Sequence, residues 1–199
     1  VKFPMKDDMG KLSHLDLSKL NFVIWTTTIW TLPGNLAIAM HPDEQYAVVK
    51  AANGEMFVMA EALVEKVMKV GGVENYEIVE THEGLFFENM LAQHPFLDKT
   101  SRLVVAEYVT MDSGTGCVHT APGFGADDYQ TCMRYGMGLV VPVDDYGRHT
   151  DYAGKYAGLP TEKSNPIILE DMKELGMLFA SEEIVHSYPH HDRCKKPII

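Results

Sequence analysis

Two segments rich in glycine and threonine, far apart in the chain, carry the side chains best suited to chemistry. Residues 25–35 read WTTTIWTLPGN, and residues 114–129 read GTGCVHTAPGFGADDY. The first offers a run of hydroxyls, which donate and accept hydrogen bonds and suit ribose hydroxyls, a phosphate or a bound water. The second delivers two carboxylates to the start of a predicted helix. Together they indicate a pocket that holds a charged small group and a sugar while water does the chemistry.

The threonines of the first segment have two interpretations. If residues 22–29 are extended, Thr26 and Thr28 share one face of a strand and Thr27 points to the other. Threonine favours strands, so a single one would indicate nothing more than an ordinary strand. For three in a row between two tryptophans, a strand and a substrate-binding strip both stay open.

The second segment places Asp127 and Asp128 where a glycine-rich loop enters a helix. The positive end of the helix dipole stabilises carboxylates there, and an ionised Asp in a partly closed pocket pairs with a substrate ammonium. Alternatively, one of the two caps the helix and the other is a solvated neighbour. His119 lies in a predicted strand and is typical of a hydrogen-bonded core residue; its alternative role is to shape a pocket wall or orient a water.

Other chemical motifs are weaker. Asp112 begins an Asp-Ser-Gly sequence of the aspartic-protease type, but that chemistry needs two carboxylates, so a homodimer would be required and a turn before a strand is favoured. A group at the chain end has the composition of a metal site, yet zinc usually takes two close pairs of ligands. We therefore expect no metal and no cofactor. The members of that group are His186, His190, His191 and Cys194.

Short runs of β-branched and aromatic residues, bounded by Gly, Pro, Asn or Asp, dominate the chain and predict strands. Helices are predicted at residues 61–69 and 127–135, and from Pro166, after an Asn165 N-cap, to a stop at Gly176. Residues 32–35 fit a type II turn. These elements predict an α+β fold, a mostly antiparallel, barrel-like sheet with peripheral helices. The predicted strands are 20–25, 36–40, 46–50, 56–59, 76–79, 102–108, 116–120, 139–143 and 184–188.

Composition limits the classes of function. The 199 residues suit one domain, and the net charge of −11 argues against a free-standing nucleic-acid binder. Three scattered cysteines form no disulfide framework and favour a reducing cytoplasm, and no apolar run is long enough to span a membrane. The abrupt ends suggest that residues 1–199 are a single domain excised from a larger protein.

The two long motifs resemble the editing domain of isoleucyl-tRNA synthetase. Further similarity lies in VKFP with KDD at the start, AQHPF at 92–96, PVDDYG at 142–147 and HSYPH with an Arg near the end. The resemblance therefore covers nearly the whole chain. The two long motifs are also specific, because leucyl and valyl relatives carry an Arg after the threonines and lack the Val-His-x-Ala-Pro pattern.

The resemblance implies hydrolysis of valine wrongly attached to isoleucine tRNA, with the tRNA 3′ end and the rest of the synthetase as partners. Valyl-adenylate is a further candidate substrate. Asp128 matches the carboxylate that binds the substrate ammonium. His119 matches a residue that lines the amino-acid pocket. The strip that holds the terminal adenosine and positions water is matched by Thr26, Thr27, Thr28, Trp30 and Asn35, with Thr27 and Thr28 expected to act in catalysis beside Asp128.

Three positions depart from the family pattern. Ile29 replaces a usual Pro, Phe124 stands where many members have His, and Asp192 replaces a Trp before the final Arg. The adenylate-forming motifs of a synthetase are absent, so no aminoacylation by this chain is expected. A module that binds a tRNA end or an amino acid without turnover remains an alternative.

Overall fold

A nine-stranded sheet forms the centre of the computed structural model, which describes residues 1–183, 190–193 and 195. The strands are Lys2–Asp7 (β1), Leu20–Val23 (β2), Ala37–Met40 (β3), Gln45–Ala51 (β4), Met56–Ala60 (β5), Tyr76–Glu83 (β6), Leu91–Gln93 (β7), Thr100–Val105 (β8) and Val118–Thr120 (β9). The order across the sheet is β6-β4-β5-β2-β1-β7-β8-β3-β9. Strand β2 pairs in parallel with β5, and β3 with β8, whereas the other neighbours are antiparallel.

The mixed α+β class and the mostly antiparallel pairing are confirmed. The sheet is open, however, so the predicted barrel-like closure is wrong. One isolated parallel bridge, Trp25 with Val118, brings the chain after β2 beside β9. Closing a barrel requires a continuous ladder. Here the backbone leaves the strand conformation after Val23, so a single bridge takes the place of that ladder.

Proline explains two differences between the predicted and observed strands. β1 was not predicted because Pro4 interrupts it, yet Pro4 pairs with Asn21 inside the sheet. The predicted strand 139–143 is not formed: Pro142 has no N–H to donate, and only Val143 makes an isolated bridge, with His149. The predicted strand 184–188 lies outside the described residues.

The core lies against the sheet beneath three helices, which are Val64–Val70 (α1), Ala126–Arg134 (α2) and Thr161–Glu174 (α3). Every residue of β3 and β5 is buried. Val64, Val67 and Met68 bury one face of α1, as the periodicity predicts. Within the described part of the chain, no helix is both long and apolar enough to cross a membrane.

The third helix begins earlier than predicted. It starts at Thr161, so Pro166 lies inside it and Asn165 is not its N-cap. The first turn is held by Ser164, whose hydroxyl donates to the Thr161 carbonyl at 2.8 Å and meets His149 Nε2 at 2.8 Å. The Asn165 side chain instead contacts the backbone of Trp30.

Candidate active site

A cavity of about 960 Å³ gathers most of the predicted site residues. Its walls are the segment 28–31, the loop and helix start at 121–128, and the hairpin at 141–147. Thr28, Trp30, His119 and Asp128 all line it. Elements distant in sequence therefore meet at one concave site, which is where binding or catalysis is expected.

The threonines are not an extended row, so that prediction is wrong. Thr28 N–H donates to Thr26 Oγ1 at 3.0 Å, a local turn in which a hydroxyl replaces the ladder of a strand. Thr27 Oγ1 and Thr28 Oγ1 consequently lie 3.4 Å apart instead of on opposite faces. Thr28 faces the main cavity, whereas Thr26 and Thr27 line two neighbouring cavities of about 460 and 310 Å³.

The predicted type II turn at 32–35 is also wrong, because residues Ile29–Gly34 form a 3₁₀ helix. Gly34 has no positive φ. Its small size matters instead, since a Cβ there would lie 3.0 Å from the Phe124 ring and 3.2 Å from Pro142. The helix is fixed at its start by Asn165, whose Oδ1 accepts the Trp30 N–H at 2.9 Å. The buried Trp30 ring packs edge-on against Phe124, with centroids 5.0 Å apart.

His119 is held at both ring nitrogens. Asn35 Nδ2 donates to the Ala37 carbonyl and to His119 Nδ1, each at 2.8 Å, which assigns Nδ1 as an acceptor. Nε2–H then donates to Thr31 Oγ1 at 3.1 Å, and that hydroxyl donates to the Thr28 carbonyl at 2.7 Å. Burial, with a smaller contribution from the Lys99 charge, lowers the pKa of His119 to about 3, so the ring is neutral.

Asn35 does not line the cavity but supports the residue that does. Thr31 lines it and was not singled out from the sequence. The three-residue turn of a 3₁₀ helix places Thr31 on the same face as Thr28, a signal that a strand interpretation conceals. The hairpin residues Asp144, Asp145 and Gly147 also line the cavity, although the sequence singled them out only as part of a motif.

Asp128 lies in the first turn of α2 and points its carboxylate at the cavity. Its Oδ2 accepts the Ala121 N–H at 2.8 Å. Burial, and then the neighbouring Asp127 charge, raise the pKa of Asp128 against the lowering effect of that hydrogen bond. Asp127 itself is exposed. A cationic group in the cavity would favour the ionised form of Asp128.

The glycines of the second motif make room for this arrangement. A Cβ on Gly125 would lie 2.9 Å from Asp128 Cγ, so only glycine leaves that carboxylate in place. Gly116 has φ +74°, and a Cβ there would lie 2.4 Å from the Ala60 Cβ. Its carbonyl accepts the Tyr46 hydroxyl at 2.7 Å. The motif thus joins β9 to the core while it presents His119 and Asp128.

The weaker motifs take no part in this cavity. Asp112 is exposed in the turns before β9 and does not line it, so the turn interpretation is confirmed. Of the metal-like group at the chain end, His186 and Cys194 lie outside the described residues. The AQHPF segment at 92–96 has a supporting role, because His94 Nε2 donates to the Leu32 carbonyl at 2.9 Å.

Comparison with known proteins identifies the family. A family model described as "Leucyl-tRNA synthetase, editing domain" matches residues 9–185. The whole chain aligns with isoleucine–tRNA ligases of Nitratidesulfovibrio vulgaris, at 48% identity, and Petrotoga mobilis, at 51%. The chain spans about a fifth of the length of these curated relatives, 21% in each case.

Solved structures resemble the fold. The structure titled GlLeuRS-CP1 superposes with a TM-score of 0.69 at 14% identity, and the match covers 96% of this chain and 98% of that one. The editing domain of the cytosolic leucyl-tRNA synthetase of P. knowlesi gives 0.67 at 11% identity, covering 88% and 93%. At such low identity these likenesses describe the fold.

Proposed function

Because the chain belongs to the family of synthetase editing domains and aligns along its whole length with isoleucine–tRNA ligases, we propose that it hydrolyses valine from mischarged isoleucine tRNA. Valyl-adenylate is a second substrate of the same site. The observation that carries the proposal is the joint presence of Thr28, His119 and Asp128 in one cavity.

The need for such a site is a matter of size discrimination. Isoleucine and valine differ by one methylene, which a binding pocket distinguishes by about 1–3 kcal/mol, a limit for which isoleucyl-tRNA synthetase is itself the standard illustration. A second pocket that excludes the larger side chain overcomes that limit. The neutral imidazole of His119, fixed from both sides, supplies the rigid wall that exclusion requires.

Asp128 is proposed as the anchor for the α-ammonium of the bound valine. One carboxylate oxygen is already held by Ala121 N–H, so its direction is set before the substrate arrives. An ammonium beside it would form a charge-assisted hydrogen bond in a partly buried site. Asp144 and Asp145 at the other wall add negative charge that suits a cation.

Chemistry is assigned to a positioned water. Both nitrogens of His119 are occupied, so the ring has no free lone pair with which to act as a general base. An aminoacyl ester is already activated, and orientation of a water by the Thr28 hydroxyl, with Thr27 Oγ1 in support 3.4 Å away, lowers the remaining barrier. Thr26 supports the threonine segment by accepting the Thr28 N–H, and Asn35 supports His119 by donating to its Nδ1.

We propose the 3′ end of isoleucine tRNA as the partner, with the chain serving as the editing unit, residues 1–199, of a longer cytoplasmic synthetase. The net charge of −11 disfavours extensive contact with the tRNA phosphates. Only the terminal nucleotide and its ester then need to enter the cavity. The body of the tRNA would be bound by other parts of the parent enzyme.

The decisive experiment is deacylation of valyl and isoleucyl esters, both on isoleucine tRNA, by the unsubstituted chain, Asp128→Ala and Asp127→Ala. We expect release of valine but not isoleucine, a loss of about a hundredfold in Asp128→Ala, and little change in Asp127→Ala. The exposed Asp127 is the matched control. Retained activity in Asp128→Ala would remove this residue as the anchor.

A binding-only module is the second candidate, favoured by the occupation of both His119 nitrogens, which leaves the histidine of the cavity unavailable as a general base. If the unsubstituted chain releases neither amino acid, titration with a non-hydrolysable valyl-adenosine analogue separates the possibilities. Tight binding that Asp128→Ala abolishes would identify a binding module, whereas no binding would contradict both candidates.

A further inference from the structure

Lys99 lies beneath the site and does not line its cavity. Its Nζ donates to the carbonyls of Pro33 and Asn35, at 2.6 and 2.8 Å, and lies 4.8 Å from the centroid of the Tyr152 ring. Both carbonyls lie at the C-terminal end of the 3₁₀ helix Ile29–Gly34, where backbone carbonyls lack partners within the helix: Pro33 is in its last turn and Asn35 is its C-cap. A lysine is well suited to that position because it supplies several donors and a positive charge.

One residue connects this ammonium to the pocket wall. The backbone carbonyl of Asn35 accepts from Lys99, and the side-chain amide of Asn35 donates to His119 Nδ1 at 2.8 Å. The position of Lys99 therefore sets the position of Asn35, and Asn35 sets the tautomer and tilt of the imidazole. Nε2–H continues the chain to Thr31.

The charge acts in the same direction as the geometry. Burial lowers the pKa of Lys99 to about 8, which leaves the ammonium largely protonated at neutral pH. That positive charge lies near His119 and adds to the larger effect of burial in keeping the imidazole neutral. His94, which caps the same turn through the Leu32 carbonyl, experiences the same positive charge.

We propose that Lys99 is a positioning residue for His119, and that it thereby sets how sharply the pocket excludes isoleucine. The part concerning exclusion rests on the proposed function, whereas the positioning of the imidazole does not. Removing the ammonium leaves the Pro33 and Asn35 carbonyls without their donor inside the protein, and the turn relaxes to reach other partners. The Asn35 amide moves with the turn, and the wall loses its fixed orientation.

The test compares Lys99→Met with Lys155→Met. Methionine keeps most of the aliphatic stem and removes the donors and the charge. Lys155 is a matched control because its ammonium also forms a close contact, 2.8 Å from Asp171, and lies 5.5 Å from the Tyr156 ring, but does not touch the turn. Two readouts are taken on each folded variant: imidazole ¹⁵N shifts, and the ratio of valine to isoleucine release.

We expect Lys99→Met to shift the His119 ring nitrogens away from the pure Nε2–H tautomer, while the signals of His149, held by Ser164, stay in place. We also expect the valine-to-isoleucine ratio to fall about tenfold, with valine release reduced less. Lys155→Met should leave both readouts unchanged. A purely stabilising role for Lys99 would lower the melting temperature without moving the imidazole signals.

Unchanged His119 signals in folded Lys99→Met would overturn the proposal. If that variant does not fold, Lys99→Leu is used, because leucine also removes the donors and the charge while it keeps aliphatic bulk; unchanged signals there overturn the proposal equally. A shifted imidazole in a chain that hydrolyses neither ester would support the positioning role and contradict the proposed function. Hydrolysis with an unmoved imidazole would do the reverse.

Discussion

His119 illustrates how the surroundings of a residue decide its role. A histidine in a cavity invites assignment as a general base, but Asn35 and Thr31 occupy its two nitrogens. Its pKa, lowered to about 3 mainly by burial, keeps it from gaining a proton near neutral pH. The residue is therefore better suited to define a wall than to transfer protons.

Replacing His119 with Ala should admit the larger substrate. Removal of the ring opens space beside Thr31, so we expect hydrolysis of isoleucyl-tRNA to rise about tenfold or more, while valyl-tRNA hydrolysis continues. Steady-state deacylation with both esters measures this, and His14→Ala, in which the lost ring is largely exposed, is the control. Unchanged discrimination would exclude His119 from the wall.

At the same scale, the sequence singled out His119 and Asp128, which line the cavity, because histidine and carboxylate chemistry is distinctive in a glycine-rich segment. The sequence did not indicate that Thr31 lines the cavity, because nothing in it distinguishes this residue from the other three threonines of the segment. It also could not assign Asn35 its supporting role, because the bond to His119 joins positions 84 residues apart.

The elements show where local propensity misleads. Threonine favours strands, so an extended segment 22–29 is one of two interpretations that the sequence leaves open; the Thr26 hydroxyl instead accepts the Thr28 N–H and turns the chain. Pro166 is typical of a first helical turn. The helix α3 nevertheless begins earlier, at Thr161, because Ser164 and His149 stabilise the additional turn. The predictions of α1 and α2 are confirmed: the apolar periodicity of α1 matches its buried face, and both helices end just before a glycine.

Gly116 tests how the glycine motif joins β9 to the core. Ala there must adopt φ +74° and bring its Cβ to 2.4 Å from Ala60, so strain and overpacking add. We expect Gly116→Ala to lower the free energy of unfolding by about 2–4 kcal/mol, measured by urea denaturation.

Gly72→Ala is the matched control for that substitution. Gly72 has φ +67°, but an added Cβ meets nothing within 4 Å, so only backbone strain remains. Its cost should be about 1 kcal/mol. Equal losses in the two variants would show that the approach to Ala60 is not what requires glycine at position 116.

On the scale of the whole molecule, the sequence predicts the fold class but not the connection of the sheet. Short runs of β-branched and aromatic residues indicate many short strands, whereas the order across the sheet depends on contacts such as β3 with β8 that span long stretches of chain. The prediction of a barrel-like closure was wrong for this reason. The chain turns after Trp25, so only one bridge forms there, with Val118, and residue propensities do not reveal that turn.

Buried neutral histidines couple the stability of the whole molecule to pH. Burial is the main cause that lowers the pKa of both His94 and His119 from 6.5 to about 3. Between those values the unfolded chain binds protons that the folded chain does not, so stability is full above about pH 6.5 and falls as the pH drops toward 3. Each such group contributes a slope of about 1.4 kcal/mol per pH unit within that window.

His94→Gln isolates one of these contributions. The glutamine amide can still donate to the Leu32 carbonyl but does not titrate, so the variant should lose stability less steeply than the unsubstituted chain between pH 6 and pH 4, by about 1.4 kcal/mol per pH unit. Urea denaturation at several pH values measures the difference, and carboxylate titrations common to both chains cancel. Parallel pH profiles would mean that His94 is protonated in the folded chain over this range, and its hydrogen bond to the Leu32 carbonyl would then be charge-assisted.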